Sequence, residues 1–476
     1  MMKGQAFNPY LPSWEYIPDG EPHVFDGRVY VYGSHDRFNG SGFCVNDYVT
    51  WSAPADDLSD WRYEGVIYKK SDDPNYHGRG SMYAPDVCLA PDGKYYLYYA
   101  FAPGVTRKSW AIRCAVSDSP KGPFKYHGEV DLFPWSKEYL PFDPAVYAEG
   151  GRVWLYYGSA MFFPVLGVSK SKVKGGAVVE LDPRDMLTVL APPKQTVPVT
   201  GGGVGEHGFF EASSMRKIGE KYYFVYSSVL GHELCYALGD APDGPFQFGG
   251  TVVSNGDVGL HERHTGPKNA SNYTGNTHGG MLTIGDDHYI FYHRHTNRSC
   301  FSRQACAEKI EIAADGSIKQ AEVTSCGLNG GPLKGQGEYE ARIACNLTSR
   351  KGGRFHKKPF GKDAKGCHPY FTQSGSDREG RGDQYIANFT DGATAGFKYF
   401  AIGSLKRIGV TLSGNASGEM IVTEKDGTVA AKIPVSPTAG KKTFYGNYTG
   451  KGGVQPLFFT FRGKGTIEQF TKIILE

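Results

Sequence analysis

The chain has 476 residues, enough for two or three domains with a sizeable core, and its formal net charge is only +3. So small an imbalance excludes a generally basic, nucleic-acid-binding surface. The densest basic run, "RKGGRFHKKPFGK" from Arg350, is broken by glycines and reads as a solvated loop. The 64 Gly, 31 Tyr, 28 Phe and 28 Pro point instead to aromatic strands joined by tight turns, an all-β composition.

The opening "MMKGQAFNPYLPSWEYIPDG" has no apolar signal-peptide core, and no stretch approaches the roughly 20 apolar residues of a membrane span. The expectation is a cytoplasmic protein with no membrane partner. Nine cysteines are scattered without a C-x-x-C pair, which suggests neither a zinc site nor a disulfide framework. Triplets such as "NLT" at Asn346 then carry no weight as glycosylation sites.

A short aromatic strand recurs along the first two thirds of the chain. It reads "RVYVYGS" from Arg28, "KYYLYYA" from Lys94, "RVWLYYG" from Arg152, "KYYFVYS" from Lys221 and "DHYIFYH" from Asp287, a period of 58 to 69 residues. Each copy follows a turn signal such as "FDGR", "PDGK" or "EGGR", and several precede a second strand and a polar turn. A unit of this length suffices for a four-stranded antiparallel sheet, so five units predict a five-bladed β-propeller. A β-sandwich with coincidental hairpins would not repeat so regularly.

One ionisable residue precedes each copy by eight to ten positions: Asp19, Asp86, Asp143, Glu211 and His278. Innermost propeller strands run along the axis, so residues at one end of all five should converge on one funnel. Five unrelated turn caps would not share an offset. Three aspartates, a glutamate and a histidine suit two chemistries. Metal-dependent hydrolysis would use the hard oxygen ligands, although only one histidine is in register. Glycosidic hydrolysis needs one carboxylic acid for the leaving oxygen and one carboxylate to activate water or attack the sugar. Crowding raises the pKa of one member and keeps it protonated.

The motifs "PDG" at Asp19, "FDPAV" at Asp143 and "FFEASSM" at Glu211, in this order and spacing, resemble glycoside hydrolase family 43 over about residues 7–320. The resemblance implies an inverting, exo-acting glycosidase with Asp19 as general base, Glu211 as general acid and Asp143 tuning the acid. It also implies a base-to-acid separation of roughly 6.5–9.5 Å, which leaves room for a water. Its substrates would be short oligosaccharides ending in α-L-arabinofuranosyl or β-D-xylosyl units, with β-galactosyl or galactofuranosyl specificity as the alternative. No cofactor is implied for the chemistry. "THGGM" resembles the family's axial histidine, which makes His278 the candidate for holding a calcium or other cation. "SRQACAEKIEI" suggests Arg303 as a contact to sugar hydroxyls, with Arg294 in "YHRH" next.

Asp86 in "MYAPDV" matches a family segment in which Tyr83 replaces the common Trp, and both are candidates for binding substrate. Trp14, Tyr16, Tyr83 and Phe210 could offer aromatic faces to a sugar. A non-catalytic sugar-binding propeller would not need Asp19, Asp143 and Glu211 together. A metal-dependent phosphoesterase would lose activity on chelation. "HERH" at His261 lacks zincin spacing, and "GGGVG" at Gly201 reads as a loop shaping the pocket.

The repeat stops after about residue 325. Residues 326–339, rich in glycine, read as a linker, and residues 340–476 as a jelly-roll-like β-sandwich of short alternating strands. "QYIANFTDGATAGFKYF" resembles carbohydrate-binding module family 6, which implies sugar binding; the alternative is a packing domain that braces the propeller or builds a dimer interface. The sequence excludes no homo-oligomer and names no oligomeric state.

Overall fold

The computed structural model describes residues 4–102, 110–161, 172–261, 266, 269–353, 368–379 and 383–476. Cys367 and the part of the basic run beyond Gly353 lie outside the described residues. The protein is all-β, with helix confined to single 3-10 turns among the described residues.

The five aromatic repeats form the second strands of five sheets: Arg28–Tyr32, Tyr95–Ala102, Arg152–Tyr157, Lys221–Ser228 and Asp287–Thr296. Each pairs antiparallel with an inner strand on one side and a third strand on the other. The inner strands are Glu21–Phe25, Ser81–Leu89, Ala145–Glu149, Phe209–Ile218 and Met281–Ile284. Each touches the next, and the last touches the first, so they ring a common axis. A second strand inside a blade is covered on both faces, which is why these repeats are nearly continuous apolar runs rather than alternating ones.

The core is five layers between blades. Tyr32, Met82, Leu97 and Phe101 fill the layer between the first and second blades. Val29, Val31 and Trp51 meet Leu282, Phe291 and Ala307 between the first and fifth. A parallel bridge between Gly20 and Gly279 closes the ring.

Among the described residues four blades have four strands each, as the repeat length predicts, but the fifth has three. After Ser299–Ile310 the chain makes a small bridge between Ile312 and Ile318. It then crosses to the fourth blade, where Ala321 pairs with Val253. The outer edge of the fifth blade is instead held by Asn8, whose amide exchanges hydrogen bonds with the backbone of Ala307.

The rest of the chain forms two six-stranded sheets packed face to face over a single core that includes Phe397, Phe459, Phe461 and Phe470. Leu333–Lys334, within residues 326–339, and Gly337–Glu340, which runs one residue past them, add short strands to these sheets. The sandwich docks on the propeller through polar groups. Lys398 Nζ sits between Asp257 and Glu322 at 3.2 and 3.0 Å, and Tyr399 donates to Glu322 at 2.6 Å. Arg294 donates to the carbonyls of Arg342 and Ala344, with its guanidinium 3.9 Å from the centre of the Phe371 ring.

Candidate active site

Where the chain enters the axis, four blades carry an L-residue in the left-handed region: Asp19 (φ 58°), Ala84 (39°), Asp143 (46°) and Ala212 (70°). Such conformations cost on the order of 1–3 kcal/mol and persist where the surroundings impose them, commonly at functional sites. They define a structural register. Asp19 and Asp143 occupy it in blades one and three, and Glu211 directly precedes it in blade four.

Asp19 is buried and receives Arg303 Nη1 on Oδ1 at 3.0 Å. The rest of the Arg303 head is clasped by Asp36. Nε donates to Asp36 Oδ2 at 2.8 Å, Nη2 to Oδ1 at 3.0 Å, and the Arg303 backbone N–H adds a third bond at 3.1 Å. On the other side of Asp19 lies His293. Its Nε2 donates to the Asn276 carbonyl at 2.8 Å, which leaves Nδ1 to accept the Asp19 backbone N–H at 3.4 Å. Burial and the nearby Arg303 hold this imidazole neutral.

On the facing side, Asp143 Oδ2 accepts the Ala212 N–H at 3.1 Å and lies 3.4 Å from His278 Nδ1. Burial opposes a charge on His278, but the hydrogen bond and charge of Asp143, followed by Asp19 and Glu21, push its pKa up to about 9. Glu211 is half-buried, yet its Oε2 is shut off from solvent and has no hydrogen-bond partner among the described residues. Its pKa is held well above the ordinary carboxylate range, first by desolvation and then by the charges of Asp143 and Asp19, against the opposing pull of His278 and Arg303. The site therefore pairs a neutral carboxylic acid with a carboxylate braced by a guanidinium, which suits proton donation on one side and water activation on the other.

Asp86 lies one layer down the axis. It is two residues past Ala84 and thus level with Glu21, which is two past Asp19. Its oxygens accept from the backbone N–H groups of Val87 and Val146, both at 2.8 Å, and one lies 2.6 Å from His23 Nε2. In this layer Glu21 Oε2 accepts from Ser214 at 2.9 Å and from Arg216 at 2.8 Å. Glu21 Oε1 and His278 Nε2 are buried without hydrogen-bond partners among the described residues and lie 3.9 Å apart.

The other expected residues are spread more widely. Tyr83 is stacked 6.4 Å from Trp110 and lies 5.2 Å from Phe142, the neighbour of Asp143, in a half-open aromatic wall. Phe210 is half-buried beside Glu211, its carbonyl accepting the Ala160 N–H at 2.6 Å. Trp14 packs against Trp51, and Tyr16 is buried and donates to Gln373 at 2.6 Å. Arg294 belongs to the sandwich interface. Asp36 and His293, which hold Asp19 and its arginine, were not anticipated. The sequence cue for them is their place just after the second strand in "YGSHD" and at the end of the aromatic repeat in "IFYH".

The family model described as "Glycosyl hydrolases family 43" matches residues 21–318. The chain is 47% identical, over 487 aligned residues and 99% of both chains, to a Thermoclostridium stercorarium protein named xylosidase/arabinosidase. A solved family 43 β-xylosidase/α-arabinofuranosidase from a compost microbial metagenome, in complex with xylotriose, is 27% identical with a TM-score of 0.53, over 65% of this chain and 96% of that one. A Bacillus subtilis arabinoxylan arabinofuranohydrolase in complex with cellotetraose aligns over 98% of this chain and 97% of that one, with a TM-score of 0.52. At 20% identity it shows a shared fold alone.

Proposed function

This chain belongs to glycosyl hydrolases family 43 and is a glycoside hydrolase, and from that premise we propose that it removes terminal α-L-arabinofuranosyl or β-D-xylosyl units from short oligosaccharides, with inversion. The observation that carries the chemistry is the convergence of Asp19, Asp143 and Glu211 with Glu211 kept protonated. The name of the full-length relative at 47% identity supports the pentose specificity.

In the proposed reaction a water between Asp19 and the sugar gives its proton to the Asp19 carboxylate as its oxygen attacks the anomeric carbon. The glycosidic C–O bond breaks on the opposite face, and Glu211 delivers its proton to the departing oxygen. Burial raises the Asp143 pKa, the hydrogen bond and charge of His278 oppose that rise, and the negative charge on Asp143 keeps Glu211 from releasing its proton prematurely. The half-open wall of Tyr83, Trp110 and Phe142 is suited to pack on the C–H face of the sugar.

Hydrolysis by two carboxyl groups needs no cofactor. A structural cation belongs to the same proposal. Glu21 Oε1 and His278 Nε2 are buried, have no hydrogen-bond partner among the described residues and face the same space, so these two residues would hold it once His278 gives up its Nε2 proton and keeps Nδ1–H toward Asp143, with waters completing the shell that calcium requires. Bound there, it would supply a fixed positive charge beneath the carboxylates.

We take residues 1–325 as the catalytic unit, 326–339 as the connection and 340–476 as the accessory sandwich. A cleft of about 850 Å³ lies where the sandwich meets the propeller, lined by Ser271 and Glu322 on one side and Asn346, Thr348, Lys425 and Phe458 on the other, and there the sandwich, read as resembling carbohydrate-binding module family 6, would take a sugar. The cytoplasmic reading is supported by cysteine usage, since the eight described cysteines are buried free thiols.

The deciding experiment is a panel of aryl arabinofuranosides, xylosides, galactosides and galactofuranosides, with NMR of the first-formed sugar. Turnover of the two pentosides with an inverted anomer is expected. Preference for a galactoside would overturn the specificity, and a retained anomer would overturn the mechanism.

A further inference from the structure

We propose that Asp377 and Arg378, in the sandwich loop that follows Tyr370–Gln373, are positioning residues for the water-activating side of the site. This deepens the reading of Asp19 as the base and rests on it.

The path begins at the loop between the second and third strands of blade one, residues 33–47. Asp36 in this loop is wholly buried and holds Arg303 by two side-chain bonds and one backbone bond, while Arg303 holds Asp19. The loop is cross-tied at its base. Asn46 donates its backbone N–H to the His35 carbonyl at 3.0 Å and its side-chain amide to the Asp36 carbonyl at 2.9 Å.

The outer side of the same loop is gripped by the sandwich. Asp377 Oδ1 accepts the Phe38 backbone N–H at 2.7 Å, and Oδ2 accepts the Asn46 amide at 3.2 Å. The Asn46 side chain thus links Asp377 directly to the backbone of Asp36. Arg378 Nη1 donates to Glu15 Oε1 at 2.6 Å and to His35 Nε2 at 2.8 Å, the ring being oriented by Nδ1 against the Asp47 carbonyl. Its guanidinium lies 5.3 Å from the centres of both the Trp14 and Tyr63 rings. Arg378 itself has φ 57°, a strained backbone state for a non-glycine residue, and is held there by these contacts.

The neighbouring sandwich residues grip the other blade that contributes to this side of the site. Thr372 donates to Asn297 Oδ1 at 3.1 Å, and the Asn297 N–H donates to the Phe371 carbonyl at 2.7 Å. Asn297 is at the turn joining the two strands that carry His293 and Arg303. One short sandwich segment therefore ties together the first blade, which supplies Asp19 and Asp36, and the fifth, which supplies Arg303. A carboxylate that must point a water at an anomeric carbon is sensitive to displacements of about 1 Å, worth on the order of a hundredfold in rate.

The test is steady-state kinetics of the full chain on pentosides with a good and a poor leaving group, for Asp377→Ala, Asp377→Asn, Arg378→Lys and Asp19→Asn, with thermal melts of each. Asp377→Ala is expected to lower kcat roughly ten- to hundredfold on both substrates, with little change in KM, because water attack is common to both. Asp377→Asn, which still accepts from Phe38, should recover most of that loss, and Arg378→Lys, which keeps a cation beside Glu15, should stay within a few-fold of the parent kcat. If Asp377→Ala keeps kcat within about twofold while Asp19→Asn is inactive, positioning is refuted and the contact only joins the two units. A loss confined to KM, or one that the melting curve accounts for, refutes it as well. An active Asp19→Asn overturns the base assignment and this proposal with it.

Discussion

Glu211 and Asp143 have the same chemistry in water and different chemistry here, because their partners differ. Asp143 is given an N–H and an imidazolium, whereas the buried oxygen of Glu211 is given no donor and faces two carboxylates. Glu211→Gln, which cannot donate an acid proton, should lower kcat on poor leaving groups by about 10²–10⁴ while sparing dinitrophenyl glycosides. Unchanged turnover of an unactivated disaccharide would remove Glu211 from the acid role. Asp143→Asn deletes a negative charge that raises the Glu211 pKa, so the acid loses its proton at lower pH. The alkaline limb of kcat/KM should therefore move to lower pH, and a limb that stays in place would contradict the tuning role. Asp19, Asp143, Glu211 and His278 were legible because each stands at a fixed distance before an aromatic strand. Asp86 shares the counting offset but not the place, since a bulge between Tyr83 and Asp86 puts Ala84 at the register position. Residue counting cannot see a bulge. Asp36 was illegible for a different reason: its partner lies 267 positions away in the chain.

At the scale of strands, the repeat was readable because a blade interior imposes uniform burial on its second strand. Blade five departs from four strands because its outer edge is covered by the N-terminal segment, a long-range event with no local signature. The close approach at the ring seam falls on Gly279. A Cβ there would stand 2.0 Å from the carbonyl oxygen of Phe291, a backbone atom in the next strand, and at Gly280 one would stand 2.3 Å from Glu21 Oε2. Gly279→Ala is expected to cost about 3 kcal/mol by overpacking and to lower activity alongside, since His278 is its neighbour. Chemical denaturation with parallel assays would check this; a parental midpoint would show that the seam yields easily.

For the whole molecule, the sandwich was visible as alternating strands, but its docking was not, because docking rests on single polar residues scattered along the chain. Lys398 is one of these, 4% exposed between Asp257 and Glu322. Lys398→Met strands a buried carboxylate and should destabilise the protein by about 3–5 kcal/mol. Calorimetry should show the parent melting in a single transition with a substantially higher Tm than the variant. Two well-separated parental transitions would show instead that propeller and sandwich are energetically independent. The seam at Gly20 and Gly279 also bears on when the protein becomes active during its own synthesis. The first carboxylate of the site leaves the ribosome at residue 19, its guanidinium partner at residue 303, and the loop that grips both blades near residue 378. A nascent chain can finish four blades and still have no assembled place for the water. Catalytic competence therefore waits on segments made long after the first carboxylate.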